Sequence, residues 1–310
     1  MMNSKTIKEV VEYISKNNLG NVFNDYSFKM ITTLKVGGDI AVMFYPNSED
    51  SLIDVIDYLN TNKIKYCIIG NGSNILASDN YYDGVVISLK QIPNQFVVEK
   101  ISDEEISVIV NSGCSTKRFS DFLLEHSIAG AEAIGSIPAS IGGIVAMNAT
   151  CYDYNSSNCV RKVKVLMGNK AKWLDKDELE LGYRSSKILT EKMILLKIEF
   201  IFKKGEYQKI KDKIKNINEN RKNSQPIEMK SAGSTFKNLK SYSAWKVIDE
   251  LGLRGYHIGD AMVSNKHTNF LVNNGNAKSD DFFKLISYIK KRAKEVLNID
   301  LELEWILINF

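Results

Sequence analysis

The stretch Ser231-Ala232-Gly233-Ser234-Thr235-Phe236-Lys237-Asn238 places a hydroxyl, Ser234, directly after a glycine, with two polar groups, Lys237 and Asn238, just beyond it. Glycine lets the backbone come close to a ligand. A tight bend can carry the hydroxyl, and the lysine can neutralise an anion nearby. Alone, the stretch also reads as a turn. Two remote segments supply what Ser234 lacks. Gly182-Tyr183-Arg184-Ser185-Ser186 offers a guanidinium, and Leu301-Glu302-Leu303-Glu304 offers a carboxylate on a strand.

Two glycine-rich runs follow apolar strands, which favours a nucleotide cofactor. The amides of Gly70-Asn71-Gly72-Ser73-Asn74 can form an anion-binding nest for a pyrophosphate. The run is not the dinucleotide fingerprint Gly-x-Gly-x-x-Gly, because Ile75 occupies the third glycine position and extended chain follows. A plain turn is the alternative. In Ser136-Ile137-Pro138-Ala139-Ser140-Ile141-Gly142-Gly143, Pro138 fixes one backbone angle and the glycine pair permits close approach. With Asn148 this run could wrap a flat cofactor; a buried connection between strands fits the same residues.

The final strand alternates. Leu301, Leu303, Trp305 and Leu307 share one face, and Glu302, Glu304, Ile306 and Ile308 the other. Both faces are partly apolar, which predicts a mostly buried strand with Glu304 beside Ile306. A carboxylate there needs a partner or a raised pKa. An edge strand with two solvated glutamates is the alternative.

Metal and hydrolytic chemistry find little support. The histidines, His126, His257 and His267, are widely spaced, with no His-x-x-x-His or His-Glu-x-x-His, so no metal site is expected. His267 either lines a pocket or belongs to a surface loop. No Gly-x-Ser-x-Gly elbow occurs. Cys67, Cys114, Cys151 and Cys159 form no Cys-x-x-Cys pair and read as free thiols in a reducing compartment.

These groups need a scaffold. Helical spacing predicts helices over Ser4 to Lys16, Ser48 to Leu59, Thr116 to His126, Trp245 to Glu250 and Ser279 to Leu297. Strands are predicted at Ile40 to Tyr45, Lys65 to Ile69, Val85 to Leu89, Phe96 to Glu99, Ile106 to Val110, Val160 to Met167 and Met193 to Phe202. The alternation predicts a mixed α+β build. Composition shifts after Phe202 to a lysine- and asparagine-rich run with Ile210, Ile214 and Ile217 at helical spacing. A domain boundary is therefore expected there, between 1–202, with a core of about 30–202, and 203–310. That run reads as a solvated helix, since no aromatics interleave to stack bases. Length, 44% hydrophobic and 25% charged residues are those of a globular protein, and a net charge of +4 over 310 residues argues for neither nucleic acid nor membrane. Met1 to Val11 has no apolar core of signal-peptide length, and no segment reaches membrane-spanning length, so a cytoplasmic location is expected.

Taken in order, eight motifs resemble those of the UDP-N-acetylenolpyruvoylglucosamine reductase (MurB) family. They are Thr33-Leu34-Lys35-Val36-Gly37-Gly38, Gly70-Asn71-Gly72-Ser73-Asn74, Ile137-Pro138-x-x-x-Gly142-Gly143, Met147-Asn148-Ala149, Gly182-Tyr183-Arg184-Ser185-Ser186, the Ser231 to Asn238 stretch, Val263-Ser264-x-Lys266-His267-x-Asn269-Phe270 and Leu301-Glu302-x-Glu304. The resemblance implies an FAD-binding domain of the p-cresol methylhydroxylase and vanillyl-alcohol oxidase type, followed by a smaller α+β substrate domain. It implies non-covalent FAD, NADPH as reductant, and UDP-N-acetylglucosamine enolpyruvate as substrate, in a monomer. The interval of about fifty residues between Arg184 and Ser234 resembles the family's compact second type.

Residue by residue, the resemblance implies that Arg184, Ser234 and Glu304 are catalytic. It further implies that Tyr183, Lys237, Asn238, Lys266 and His267 bind substrate, and that the two glycine-rich runs, with Ser136, Ile137, Pro138, Gly142, Gly143 and Asn148, bind cofactor. The chain departs from the family at Thr150-Cys151-Tyr152-Asp153, where Gly-Ala-Tyr-Gly is usual, at Asp260 and at Leu239. Rival readings are another flavoenzyme of the same fold, or a diverged binder without turnover. Many such oxidases tether flavin through a histidine in the pyrophosphate loop, where this chain has Asn74 and no histidine.

Overall fold

Phe282, Leu285, Ile286, Ile289 and Ala293 recur at three- and four-residue intervals, which places them on one stripe of a helix. In the computed structural model, which describes residues 4–310, that helix spans Ser279–Leu297 and buries the stripe. Each large side chain buried this way contributes about 1.5–3 kcal/mol. The helix ends where Asn298 adopts a left-handed conformation, at φ 54°. Its start is fixed by a reciprocal pair: Ser279 N donates to Asp79 Oδ2 at 2.7 Å, and Asp79 N donates to Ser279 Oγ at 2.9 Å. Helices Ser4–Lys16 and Glu49–Thr61 obey the same logic, the latter capped by Ser48, whose side chain accepts from Ser51 N. Met1, Met2 and Asn3, part of the segment judged for a signal peptide, lie outside the described residues.

The chain forms two compact units, each discontinuous in sequence. The first comprises the segments up to Asn24, Val42–Asn71 and Asp83–Glu219. It holds two cores. In one, Val10, Ile14, Leu52, Val55, Ile56 and Leu59 from helices meet Val42, Phe44, Val85 and Ile87 from a mixed sheet. That sheet orders Gly20–Phe23, Asp39–Pro46, Tyr82–Ile87 and Tyr66–Ile68, the last two parallel. The other core lies on an antiparallel sheet ordered Lys170–Asp175, Val160–Met167, Ile194–Lys204, Glu105–Asn111 and Phe96–Lys100. Phe119, Ile141, Ile144 and Val145 pack on it from the helices Thr116–Glu125 and Ile141–Ala146.

The second unit comprises Asp25–Ala41, Gly72–Tyr82 and Asn220–Phe310. Its four-stranded sheet orders Lys230–Ser234, Phe270–Asn273, Ala261–Val263 and His257–Ile258. A separate parallel pair joins Ile75–Ala77 to Ile306–Ile308. Helices Ala244–Glu250 and Ser279–Leu297 close the core around Phe236, Phe282 and Trp305. By packing, the strand Ile194–Lys204 and most of the lysine-rich helix Tyr207–Ser224 fall in the first unit. Among the described residues no helix is long and apolar enough to cross a membrane.

The C-terminal strand is shorter than the alternation predicts. Only Ile306–Ile308 is strand, and Ile306 and Leu307 are exposed rather than buried, at 38% and 39%. The cause is a change of partner. Residues 302–304 run beside 235–237, then Trp305 turns into the core and the chain continues beside Ile75–Ala77.

Candidate active site

Ser234 ends a strand whose ladder slips. Ser231 pairs with Val272 and Ser234 with Phe270, so three steps on one strand face two on the other. One residue is inserted, a β-bulge, and Gly233 within it has φ +74°. A Cβ at Gly233 would come no nearer than 3.8 Å to Ser73 O, so the left-handed backbone, not crowding, calls for glycine. The insertion re-aims the strand end, so that Ser231 and Ser234 oppose residues of the same face. The bulge is held from the other side by Thr33, whose Oγ1 donates to Ser231 O at 2.6 Å and whose N donates to Gly72 O at 3.1 Å. Ser234 is half-buried. Among the described residues no protein group hydrogen-bonds its hydroxyl.

Glu304 joins this segment through the next peptide. Glu304 N donates to Thr235 O at 2.8 Å and Lys237 N donates to Glu302 O at 2.8 Å, an antiparallel bridge centred on Phe236 and Leu303. Glu304 is half-buried and Glu302 exposed. Asn74 fixes the far side: its Nδ2 donates to Glu304 O at 3.1 Å, and its main-chain O accepts from Ile306 N at 2.9 Å. Trp305, 4% exposed and packed on Phe282, anchors the turn between those two bonds. The structure therefore places the predicted alcohol at the end of one strand and the predicted acid on extended chain bridged to the residues that follow it.

The remaining predicted residues of this unit divide. Lys237 Nζ lies 2.5 Å from Glu302 Oε1, so the anion it neutralises within the protein is that glutamate. Asn238 Oδ1 accepts from Ala244 N at 3.0 Å, which caps the helix Ala244–Glu250. Lys266 Nζ donates to Lys222 O at 2.6 Å. His267 is half-buried, not a surface-loop residue. It sits between Trp245 and Phe270, its ring 4.9 Å from that of Phe270, and burial lowers its pKa.

In the first unit, Arg184 occupies a tight turn. Gly182 N donates to Ser185 O at 3.1 Å, and Arg184 itself has φ 52°. Turns with a left-handed third residue normally place glycine or asparagine there. An arginine in that conformation costs about 1–2 kcal/mol. Two buried side chains hold it. Asn148 Nδ2 donates to Gly182 O at 2.9 Å while its Oδ1 accepts from Ser157 N at 3.0 Å. Ser186 Oγ donates to Ala146 O at 2.6 Å. Tyr183 is exposed, with its ring 5.2 Å from the Arg184 guanidinium carbon. Asn148, expected at the cofactor, thus commits its side chain to the arginine turn.

The two glycine-rich runs meet in this unit but play different parts. Asn71 Nδ2 donates to Pro138 O at 2.6 Å, and a Cβ at Gly70 would overlap Ser140 Oγ. In the second run, the amides are used internally. Ile137 N donates to Ile134 O, Ala139 N to Ile137 O, Ile141 N to Cys114 O, Gly142 N to Ser112 O and Gly143 N to Ser140 Oγ. Ser136 Oγ donates to Ala133 O at 2.6 Å. In the first run, among the described residues, Gly70 N and Asn71 N donate to no protein acceptor. The same holds for Gly72, Ser73 and Asn74 in the second unit.

Comparison with known proteins then decides between the readings. Residues 225–308 match the model of the UDP-N-acetylenolpyruvoylglucosamine reductase C-terminal domain, and residues 40–174 match an FAD-binding domain. The enzyme of that name from Caldanaerobacter subterraneus subsp. tengcongensis is 37% identical over 91% of this chain and 92% of its own length. Its counterpart from Clostridium novyi is 38% identical over 91% and 90%. The chain belongs to the UDP-N-acetylenolpyruvoylglucosamine reductase family. The crystal structure of the reductase from Thermus caldophilus, at 29% identity, aligns with a TM-score of 0.76 over 93% of this chain and 98% of that one. These findings bear out the expected fold class.

Amides left without a protein acceptor, as in the first glycine-rich run, are of the kind that suits a pyrophosphate, whereas those of Ile137, Ala139, Ile141, Gly142 and Gly143 in the second run are bonded within the protein. The departures have structural answers. Thr150–Cys151 and Tyr154–Asn155 form a hairpin whose turn residue Tyr152 is left-handed, at φ 51°. Asp153 at its tip pairs with Lys213 at 2.5 Å. Leu239 N donates to Tyr242 O at 3.0 Å, a bond the usual proline lacks. Asp260 Oδ2 accepts from Asn276 N at 2.8 Å and holds the neighbouring loop.

Proposed function

We propose that the protein reduces the enolpyruvyl group of UDP-N-acetylglucosamine enolpyruvate to UDP-N-acetylmuramate in cytoplasmic peptidoglycan precursor synthesis, with NADPH as reductant. The observation that carries this reading is the 2.8 Å bond from Glu304 N to Thr235 O, which ties the main chain of the acid to the residue next to the Ser234 alcohol in a chain of this family. Most of the FAD-binding region lies before residue 202, and most of the substrate region, with its catalytic C-terminal segment, lies after it, although 25–41 and 72–82 pack in the second unit and 203–219 in the first. FAD, bound without a covalent link at the Gly70 to Asn74 amides, supplies hydride transfer.

The chain's own groups handle charge and proton. Negative charge that builds beside the reduced carbon spreads into the substrate carboxylate. The Arg184 guanidinium, planar and permanently charged, matches that group. Glu304, protonated or sharing a proton, stabilises the enolic oxygens. Ser234 delivers the proton to carbon. Tyr183, Lys237 and His267 bind the nucleotide-sugar, while Asn238 and Lys266 hold the loops that carry them.

Replacement of Ser234 by alanine tests the assignment. In anaerobic stopped-flow absorbance, NADPH should reduce the bound flavin at the wild-type rate, while reoxidation by the enolpyruvyl substrate should slow by about 10²–10⁴-fold. Equal loss in both half-reactions would overturn the role.

A further inference from the structure

Beyond Ser234 the sheet runs out, because the partner strand begins at Phe270, the residue that pairs with Ser234. Yet Thr235 and Phe236, which follow Ser234, are fully buried. Buried main-chain groups must find partners. Asn269, itself 3% exposed, supplies them. Its main-chain O accepts from Thr235 N at 2.8 Å, its Oδ1 accepts from Phe236 N at 2.9 Å, and its Nδ2 donates to Phe236 O at 2.8 Å. A carboxamide is the short side chain that offers an acceptor and a donor together at this reach. It acts as one more rung of the ladder, made from a side chain. Thr235 O is thereby left to face the other way, where it takes Glu304 N.

We infer that Asn269 is a positioning residue: its carboxamide sets the register of Thr235 and Phe236, and through them the spacing of Ser234 and Glu304. The inference rests on the proposed roles of those two residues.

The test is Asn269→Asp in the flavin-loaded protein. The carboxylate keeps the acceptor for Phe236 N but turns a lone pair toward Phe236 O. Reduction of the flavin by NADPH should be unchanged, and reoxidation by the enolpyruvyl substrate should fall by about 10²-fold. Burial favours the protonated acid, which regains a donor for Phe236 O. The ratio of variant to wild-type reoxidation rate should therefore recover as pH is lowered. If the aspartate variant does not fold, Asn269→Ser, too short to span both groups, is measured for the same split between half-reactions. Equal loss in both half-reactions, full retention of reoxidation, or a pH-independent ratio in the aspartate variant would overturn the inference while leaving the function intact. Wild-type flavin that substrate cannot reoxidise would instead remove the function, and this inference with it.

Discussion

The turn that carries Arg184 and the bulge that carries Ser234 solve one problem in opposite ways. Each needs a left-handed residue to point a side chain out of a regular segment. At the bulge that conformation falls on Gly233, one residue before the serine, at φ +74° and almost without steric cost. At the turn it falls on the proposed functional residue itself, Arg184 at φ 52°, and the strain must be offset by Asn148 and Ser186. The serine thus sits on a bulge whose left-handed position is a glycine and which Thr33 and Asn269 hold without strain, whereas the arginine is held by buried side chains that work against its own preference.

Substituting the strained residue should give the largest effect. Arg184→Gly is expected to abolish substrate-driven flavin reoxidation. The same change should raise stability in urea unfolding by about 0.5–1 kcal/mol, the relieved strain exceeding the extra freedom of the unfolded chain. A loss of stability would mean that the turn is not strained and would break the contrast. Gly233→Ala is expected to do the reverse. It should cost about 1–2 kcal/mol of stability, because the alanine is held left-handed with no steric relief available, and urea unfolding reads it directly. Ser186→Ala should have the smallest effect, about 1 kcal/mol from one buried hydrogen bond. It should also weaken substrate affinity more than it alters flavin reduction, which titration and stopped-flow absorbance separate.

How far the sequence reveals this arrangement depends on where the determining information lies. The helix Ser279–Leu297 is legible to its last residue, because its apolar stripe and its stop at Asn298 are local, although the tie of its start to Asp79 is not. The bulge is not legible, since an inserted residue is defined only against Val272 and Phe270 on another strand. Nothing in arginine's character announces a left-handed turn, so the strain on Arg184 is visible only in the backbone. The Leu-Glu-Leu-Glu-Trp pattern reads as a long strand, but side-chain alternation cannot report that the chain changes partners at Trp305. Asn269 lies within a motif that signals the family, yet its carboxamide takes on meaning only once the neighbouring ladder is seen to end. A buried asparagine just before an apolar strand is the one local hint.

The parallel pairing of Ile75 with Ile306 has a consequence for synthesis of the protein. During translation the first of these strands leaves the ribosome more than two hundred residues ahead of its mate, and until then its edge stays open to mispairing with other chains. Docking of this strand also brings Glu304 to Asn74. A nascent chain arrested before Ile306 lacks that contact, which ties placement of the acid to synthesis of a segment far from the strand it pairs with.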